Sequence, residues 1–345
     1  MEKMPLSFDF TKGGIQLETS AKSGRPIREK NSEKIRKKSL LQRLTNEKAR
    51  EQYQLYLIMA PVLLHIFIFC YIPLYGILIA FQNYVPGAPF LAFDGSVEWV
   101  GLRWFMEFIQ GRYFGRLIRN TMVMSLMNLV LGFPLPILFA LLLNEVRMPR
   151  YKKVVQTASY LPHFISTVVV AGMVLSFIDT EGLINNILGV FGRAPISFST
   201  SPQYFWGIYT ITVIWKSFGW NSILYLSSMS SIDSCLYEAA RLDGASRFRQ
   251  MLHVTLPGIM PTITLMLIFA VGGILSSNTE LILLLYNPAT YETADVIGTY
   301  VYRDGLQGGR FSFGSAVGVF TNLINFLLVF AANFISRKCG ENSVW

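Results

Sequence analysis

Residues 238 to 257 read Glu238-Ala239-Ala240-Arg241-Leu242-Asp243-Gly244-Ala245-Ser246-Arg247-Phe248-Arg249-Gln250-Met251-Leu252-His253-Val254-Thr255-Leu256-Pro257. The stretch is short and polar, and it lies between two long apolar runs, residues 204–226 and 263–285. Residues 236–242 are good helix material, since Leu, Glu, Ala and Arg all rank high in helix propensity. Asp233 or Ser234 can cap the start, because a short side-chain oxygen accepts from the orphan amides of a first turn. Gly244 suits the left-handed residue that ends a helix, so residues 247–253 are expected to form a second short helix. Pro257 and Pro261 then punctuate the approach to the next apolar run. The segment 231–261 is therefore a helix-turn-helix elbow, an arrangement that no membrane span requires.

Outward from the elbow the chain is apolar. Of its 345 residues 52% are hydrophobic and 15% charged, against about 25% charged in a typical soluble domain. The expectation is an all-α integral membrane protein. Crossing about 30 Å of hydrocarbon takes about 20 helical residues, and six runs qualify: 55–81, 120–143, 165–178, 204–226, 263–285 and 313–335. The third is short and is expected to borrow residues 160–164 at its start. Pro61, Pro73, Pro134 and Pro136 fall within spans, where they kink the helix or mark packed positions. His65, on an apolar span, reads as a packing residue rather than a ligand.

Orientation follows from the basic residues, which are retained on the cytoplasmic side. With the N-terminus inside, that side receives 13 basic residues of the tail, Arg147, Arg150, Lys152, Lys153, Arg241, Arg247, Arg249, Arg337 and Lys338. The outside keeps Arg103, Arg112, Arg116, Arg119, Arg193, Arg303 and Arg310. Both termini and the elbow are then cytoplasmic. This topology accounts for 22 of the 30 basic residues, so the net charge of +9 needs no nucleic-acid partner. Cys70, Cys235 and Cys339 offer no extracellular pair and imply no disulfide framework.

Two regions are expected, a basic cytoplasmic tail over 1–53 and a six-helix membrane domain over 54–345. The tail is too polar to bury a core and lacks the apolar region of a signal peptide. Its segment 35–50, with Arg36, Lys37 and Lys38, is suited to anionic membrane lipid, although a solvated tail is the simpler reading. After the first span, residues 83–112 carry Pro86, Gly87, Pro89, Gly95, Trp99 and Trp104, with Leu102, Phe105, Phe108 and Ile109 at helical spacing. That pattern predicts a turn and then a short helix at the outer interface. Residues 179–203 read as an outer connection.

The elbow resembles the docking loop of binding-protein-dependent ATP-binding cassette (ABC) importer permeases, written EAA, three residues, Gly, nine residues, Ile, any residue, Leu-Pro. Only Val254 departs, replacing Ile with another β-branched apolar residue. Asn120-Thr121, the run 158–166, Gly182-Leu183-Ile184-Asn185, Asn287-Pro288, Asp295-Val296-Ile297 and the run 300–306 look like the carbohydrate-type branch for poly- and oligosaccharides, related to the lipoprotein-associated system. Where that branch often has Pro after the loop's Asp, this chain has Ser234. The resemblance spans residues 55–345 and implies the type I ABC importer permease fold in a bacterial plasma membrane. It implies sugar import with a second, similar permease, a cytosolic ATPase dimer and an extracellular solute-binding lipoprotein. Glu238, Ala239, Ala240, Asp243, Gly244, Leu256 and Pro257 are then the ATPase-docking residues, with Glu238 pairing to a basic residue of the ATPase.

The chain has no Gly-Lys-Ser/Thr phosphate loop, so ATP and Mg are expected on the partner ATPase, with no cofactor, metal or catalytic residue on this chain. For the substrate path, polar groups within spans are the candidates because desolvation makes them costly: Asn278 and Glu280, Lys216, Trp220 and Asn221, and Asn322 and Asn325. Amides and the aromatic faces of Trp215, Trp220 and Tyr225 suit sugars, whereas Asn residues also serve as ordinary interhelical glue. Half of an ion-gradient-driven secondary transporter, with Glu280 as proton relay, is the main alternative, but it leaves the elbow spacing to coincidence. A non-transporting scaffold explains neither the elbow nor the polar residues in spans.

Overall fold

A computed structural model describes residues 47–91 and 97–338. Most of the expected tail and Gly95, together with Cys339 and the rest of the C-terminal end, lie outside the described residues. The described chain is helical throughout, relieved by one isolated antiparallel bridge between Gln82 and Trp99. It divides into two units, residues 1–73 and 74–345.

The first unit holds α1, Glu47–Ile66, followed by a π turn, Phe67–Tyr71. Every side chain described from Tyr53 to Pro73 is exposed. From Leu55 onward α1 is apolar on all sides, which suits hydrocarbon rather than water.

The second unit begins in a 3-10 segment that runs from Ile72 to Phe81. It continues through α2, Arg103–Ile109, the short helix expected from the Trp104 region, with Phe108 buried. Then come α3, Phe114–Met127, a π turn over Asn128–Gly132, and α4, Pro134–Glu145. Pro134 has no amide to donate, and the ladder widens just before it: Phe133 N bonds Asn128 O at 3.1 Å, five residues back. Next are α5, Pro149–Phe164, α6, Thr167–Ile178, α7, Leu183–Val190, and the 29-residue α8, Pro202–Ser230. The elbow supplies α9, Ser234–Leu242, α10, Arg247–Gln250, a π turn, and α11, Leu256–Gly258. The chain ends in α12, Met260–Gly272, α13, Thr279–Leu285, the short α14, Tyr291–Ala294, and α15, Ile297–Tyr300, and lastly α16, Phe311–Lys338.

α8 is the centre of the packing, touching α3, α4, α5, α12, α13 and α14, while α16 packs on α12 and α2. Phe205 and Tyr209 of α8 pack with Met124, Leu281 and Ile282. Further along the helix, Tyr225 and Met229 meet Ile137, Leu141 and Ile259.

Among the described residues, four segments are long and apolar enough to cross a membrane: Tyr53–Phe81, Phe114–Glu145, Thr167–Val190 and Phe311–Lys338. A fifth is reached only if the pair Arg247–Gly258 and Met260–Gly272, bent by 59°, is counted as one span. α8 occupies the place of the expected fourth span and at 29 residues is about 43 Å long, but its Ser, Thr, Asn and Lys side chains keep it below the others in apolarity.

Two expectations are corrected. The third span does not borrow residues 160–164. Those residues end α5, Ile165 is extended, and Ser166 Oγ accepts from Val169 N to begin α6 afresh. The run 263–285 is not one helix either: it stops at Gly272, turns, and restarts at Thr279. The connection 179–203 contains α7, which the apolar segment Thr167–Val190 takes in, and Asn185 ties it down by donating to Asp179 O and Ile196 O while accepting from Ile196 N.

Candidate functional site

The elbow is built by local hydrogen bonds that its sequence dictates. Asp233 caps α9, its Oδ1 accepting from Cys235 N at 2.9 Å; that bond holds the carboxyl below its ordinary range. The helix closes at Gly244, where φ is +74°. Gly244 N bonds Arg241 O at 3.1 Å and Ala245 N bonds Ala240 O at 2.8 Å, the paired pattern of a Schellman cap. Ser246 Oγ accepts from Arg249 N to start α10, which is shorter than expected because a π turn, Met251–Thr255, replaces its end.

Two contacts fasten the elbow to the membrane helices. Tyr237 Oη lies 2.9 Å from the buried Thr255 Oγ1, and Arg247 reaches Glu145 at the end of α4 at 3.4 Å. Glu238 and Ala239 are exposed, whereas Arg241, one turn from Tyr237, lines a cavity with Tyr237, Arg247 and Glu145. Leu242 is 89% exposed and Phe248 64%, large apolar surfaces for a polar loop. Asp243 is the exposed C-cap. Leu256 and Pro257 lie apart from that surface in α11, where Leu256 packs beside Ile137 and Ile259.

The candidates for a substrate path divide. Two adjoining cavities of about 570 and 270 Å³ share Gly132, Phe133, Asn221 and Ala270. Trp220 lines the larger and Asn278 the smaller. Asn278 is held in place because its Oδ1 caps α13 at Leu281 N and its own N–H donates to Tyr209 Oη at 2.9 Å. On α8 the smaller cavity is lined by Tyr209, Val213, Ser217 and Asn221, a stripe at four-residue spacing. Asn325 is interhelical glue: it accepts from Leu275 N and donates to Ser276 Oγ, clamping α16 to the break after α12. Lys216, Glu280 and Asn322 line neither cavity. Lys216 Nζ donates to Thr167 Oγ1 at 3.0 Å, and Glu280 and Asn322 are exposed.

Asn128, Tyr209, Ser217 and Ser276 also line the smaller cavity and were missed. The rule that selected Asn221 applies equally to Asn128, an amide inside the second apolar run.

A further polar assembly surrounds Asp295, which is fully buried. Arg116 and Arg303 reach its Oδ2 at 2.9 and 3.0 Å, and Thr299 donates to its Oδ1. Asn120 donates to Asp295 O, and Thr121 Oγ1 accepts from Ile297 N. Two short motifs far apart in sequence thus form one structural knot, with the buried charge satisfied on several sides.

Against known proteins, the family profile described as "Binding-protein-dependent transport system inner membrane component" matches residues 108–340. The chain is 42% identical over 312 residues to the polygalacturonan/rhamnogalacturonan transport system permease protein YteP of Bacillus subtilis (strain 168), covering 90% of this chain and 96% of that protein. It is 40% identical over 292 residues to protein LplB of the same organism, covering 84% and 91%. Among solved structures, one chain of a bacterial ABC transporter involved in the import of the acidic polysaccharide alginate aligns with a TM-score of 0.74 and 42% identity, covering 85% of this chain and 98% of that one. A chain from a bacterial alginate ABC transporter in complex with an alginate pentasaccharide-bound periplasmic protein aligns at 0.76 and 40%, covering 87% and 100%. With its helical membrane segments and elbow, the chain belongs to the family of binding-protein-dependent transport system inner membrane components and is a membrane permease subunit.

Proposed function

We propose that this permease is one of two membrane subunits of an ATP-driven sugar importer, and that a cytosolic ATPase grips it through α9 and α10. The observation that carries the reading is the elbow's two-sidedness. Tyr237 and Arg247 fasten it to the membrane helices, while Glu238, Leu242 and Phe248 are exposed. A basic partner groove would meet an acidic handle there, and the small Ala239 and Ala240 allow close approach.

ATP and Mg belong to that ATPase. Its closure moves the elbow, and the fastened spans switch between inward- and outward-facing states. The path runs through the two cavities, past Asn278 and Asn221. α8 serves as the fourth of six spans, both termini are cytoplasmic, and the bacterial plasma membrane is the site of action. A second, similar permease and an extracellular binding lipoprotein complete the assembly. The names of the relatives support a saccharide cargo, and polygalacturonan and alginate are both acidic, so the substrate class is an acidic oligosaccharide.

Proteoliposomes containing both permeases and the ATPase, supplied with binding protein, test the reading. Saccharide uptake should require ATP and persist when a protonophore collapses the ion gradient. Uptake that follows the gradient and ignores ATP would return the secondary-transporter alternative, in which Glu280 relays protons. Glu280 lies outside both cavities, which weighs against that alternative.

A further inference from the structure

We infer that Lys216 and Trp220 of α8 form a subsite for one acidic sugar ring, the ammonium taking the carboxylate and the indole taking the apolar face of the ring. The inference rests on the saccharide-importer reading and names the residues that sense the charge.

The two residues are four apart on one helix and therefore share a face, one turn from each other. Three contacts running antiparallel along α5 and α6 seat that face. At the first, Gly219 meets the Ser159 carbonyl so closely that a Cβ on the glycine would clash with it. At the second, the ring of His163 lies flat on Trp220, with centroids 4.4 Å apart and 1° between planes, and Phe164 meets the indole edge-on. At the third, Lys216 Nζ donates to Thr167 Oγ1. The indole is therefore fixed on one face, and it still lines the larger cavity and is 41% exposed.

Lys216 is the anomaly that calls for a ligand. A lysine inside a membrane span is costly unless it meets an opposite charge or water. Among the described residues no carboxylate forms an ion pair with it. Thr167 satisfies one of its three donors. A hydroxyl anchors the ammonium without neutralising it; Lys216 lies outside both cavity linings, so its flexible four-carbon stem must swing from Thr167 to bring the charge to an anion on Trp220. A pyranose carrying a carboxylate offers both groups at once, an apolar C–H face for the indole and an anion beside it. A neutral sugar would use only the indole.

The test uses the complete transporter, with both permeases, ATPase and binding protein, in proteoliposomes. The probes are an oligogalacturonate and its methyl ester, which has the same rings without the charge. Comparing variants by the ratio of acid to ester uptake cancels the preference of the binding protein, which is common to all of them. Lys216→Gln should lower that ratio about tenfold, the loss of one hydrogen bond to a charged group. Lys216→Arg should retain most of it. Trp220→Ala should raise KM for both probes, and Trp220→Phe should restore it. A ratio that stays unchanged in Lys216→Gln overturns the subsite and leaves Lys216 to pair with another subunit. Should that variant not assemble, the wild type decides by protection. Acylation of Lys216, followed by mass spectrometry, should be slowed by the acid probe and not by the ester, and equal rates overturn the inference. Wild-type uptake of neither probe overturns the saccharide reading as well, whereas uptake of both with no dependence on Lys216 overturns the subsite alone.

Discussion

The phenol of Tyr237 lies 2.9 Å from Thr255 Oγ1, so the elbow helix is joined by a side chain to the foot of the bent segment that leads into α12. Thr255 is 1% exposed, so its hydroxyl has no water to fall back on at that point. Movement imposed on α9 therefore reaches α12 through this bond as well as along the backbone. Tyr237→Phe should cost roughly 1 kcal/mol, as for one neutral hydrogen bond, and lower the Tm slightly. Its larger effect should be on coupling, with more ATP hydrolysed per sugar moved. An unchanged ratio of hydrolysis to transport would show that the backbone alone carries the motion.

Glu238→Lys and Gly244→Asp should leave the protein in the membrane and abolish uptake. The first reverses the charge offered to the ATPase. The second places a side chain at φ +74°, where L-residues are strained. Nothing lies within 4 Å of a Cβ there, so the penalty is in the backbone rather than in a clash, and Gly244→Val should be the more damaging of the two substitutions at that position. Wild-type uptake by both Glu238→Lys and Gly244→Asp, with membrane levels measured by immunoblot, would refute the docking role.

Cys235 is exposed at the start of α9, three residues before Glu238. A membrane-impermeant thiol reagent should label it from the cytoplasmic side only, and more slowly once the ATPase is bound. Labelling in sealed right-side-out vesicles would invert the topology that the basic residues suggest.

Asp295 carries a buried charge with Arg116 and Arg303 at 2.9 and 3.0 Å. Removing one member of a buried ion pair typically costs about 3–5 kcal/mol, because the remaining charge is left uncompensated. Asp295→Ala should therefore lower the amount of folded protein, read as the monodisperse fraction in size-exclusion chromatography. Arg303→Lys should cost less, since it keeps the charge but loses the two-pronged grip.

The elbow was legible in the sequence because its determinants are local. Asp233, Gly244 and Ser246 each act within a few residues, and backbone geometry follows from residue type. Long apolar runs were legible for the same reason. The break between Gly272 and Thr279 was not, since Gly, Ile, Leu and Ser keep the run apolar while tertiary contacts from Asn325 and Tyr209 satisfy the freed backbone. The start of α6 turned on a single side chain, Ser166, against an apolar background. Asn120 and Asp295 were visible as motifs, but their contact spans 175 residues, and no local pattern encodes it. The cavity stripe on α8 was only half legible, because Asn221 stands out in an apolar run whereas Tyr209 and Ser217 do not.

Fifth-span polar residues, rather than the basic tail, are expected to govern which sugar passes, and the structure now separates the two residues concerned. Asn278 lines the smaller cavity beside Asn221, whereas Glu280, two residues on, lines neither cavity. Asn278→Ala removes an amide from the path and also the cap of α13, which typically costs about 1 kcal/mol. Asn278→Asp keeps the cap and changes the charge presented to the cargo, so the two effects can be told apart. Both variants should shift KM for the transported sugar, and Asn278→Asp should weaken an acidic oligosaccharide more than a neutral one. Glu280→Gln should alter uptake less than either. Deleting residues 2–30 should change the amount inserted and leave KM as it was. If Asn278→Asp transports acidic and neutral saccharides with wild-type kinetics, Asn278 is a helix cap alone and the smaller cavity lies off the path.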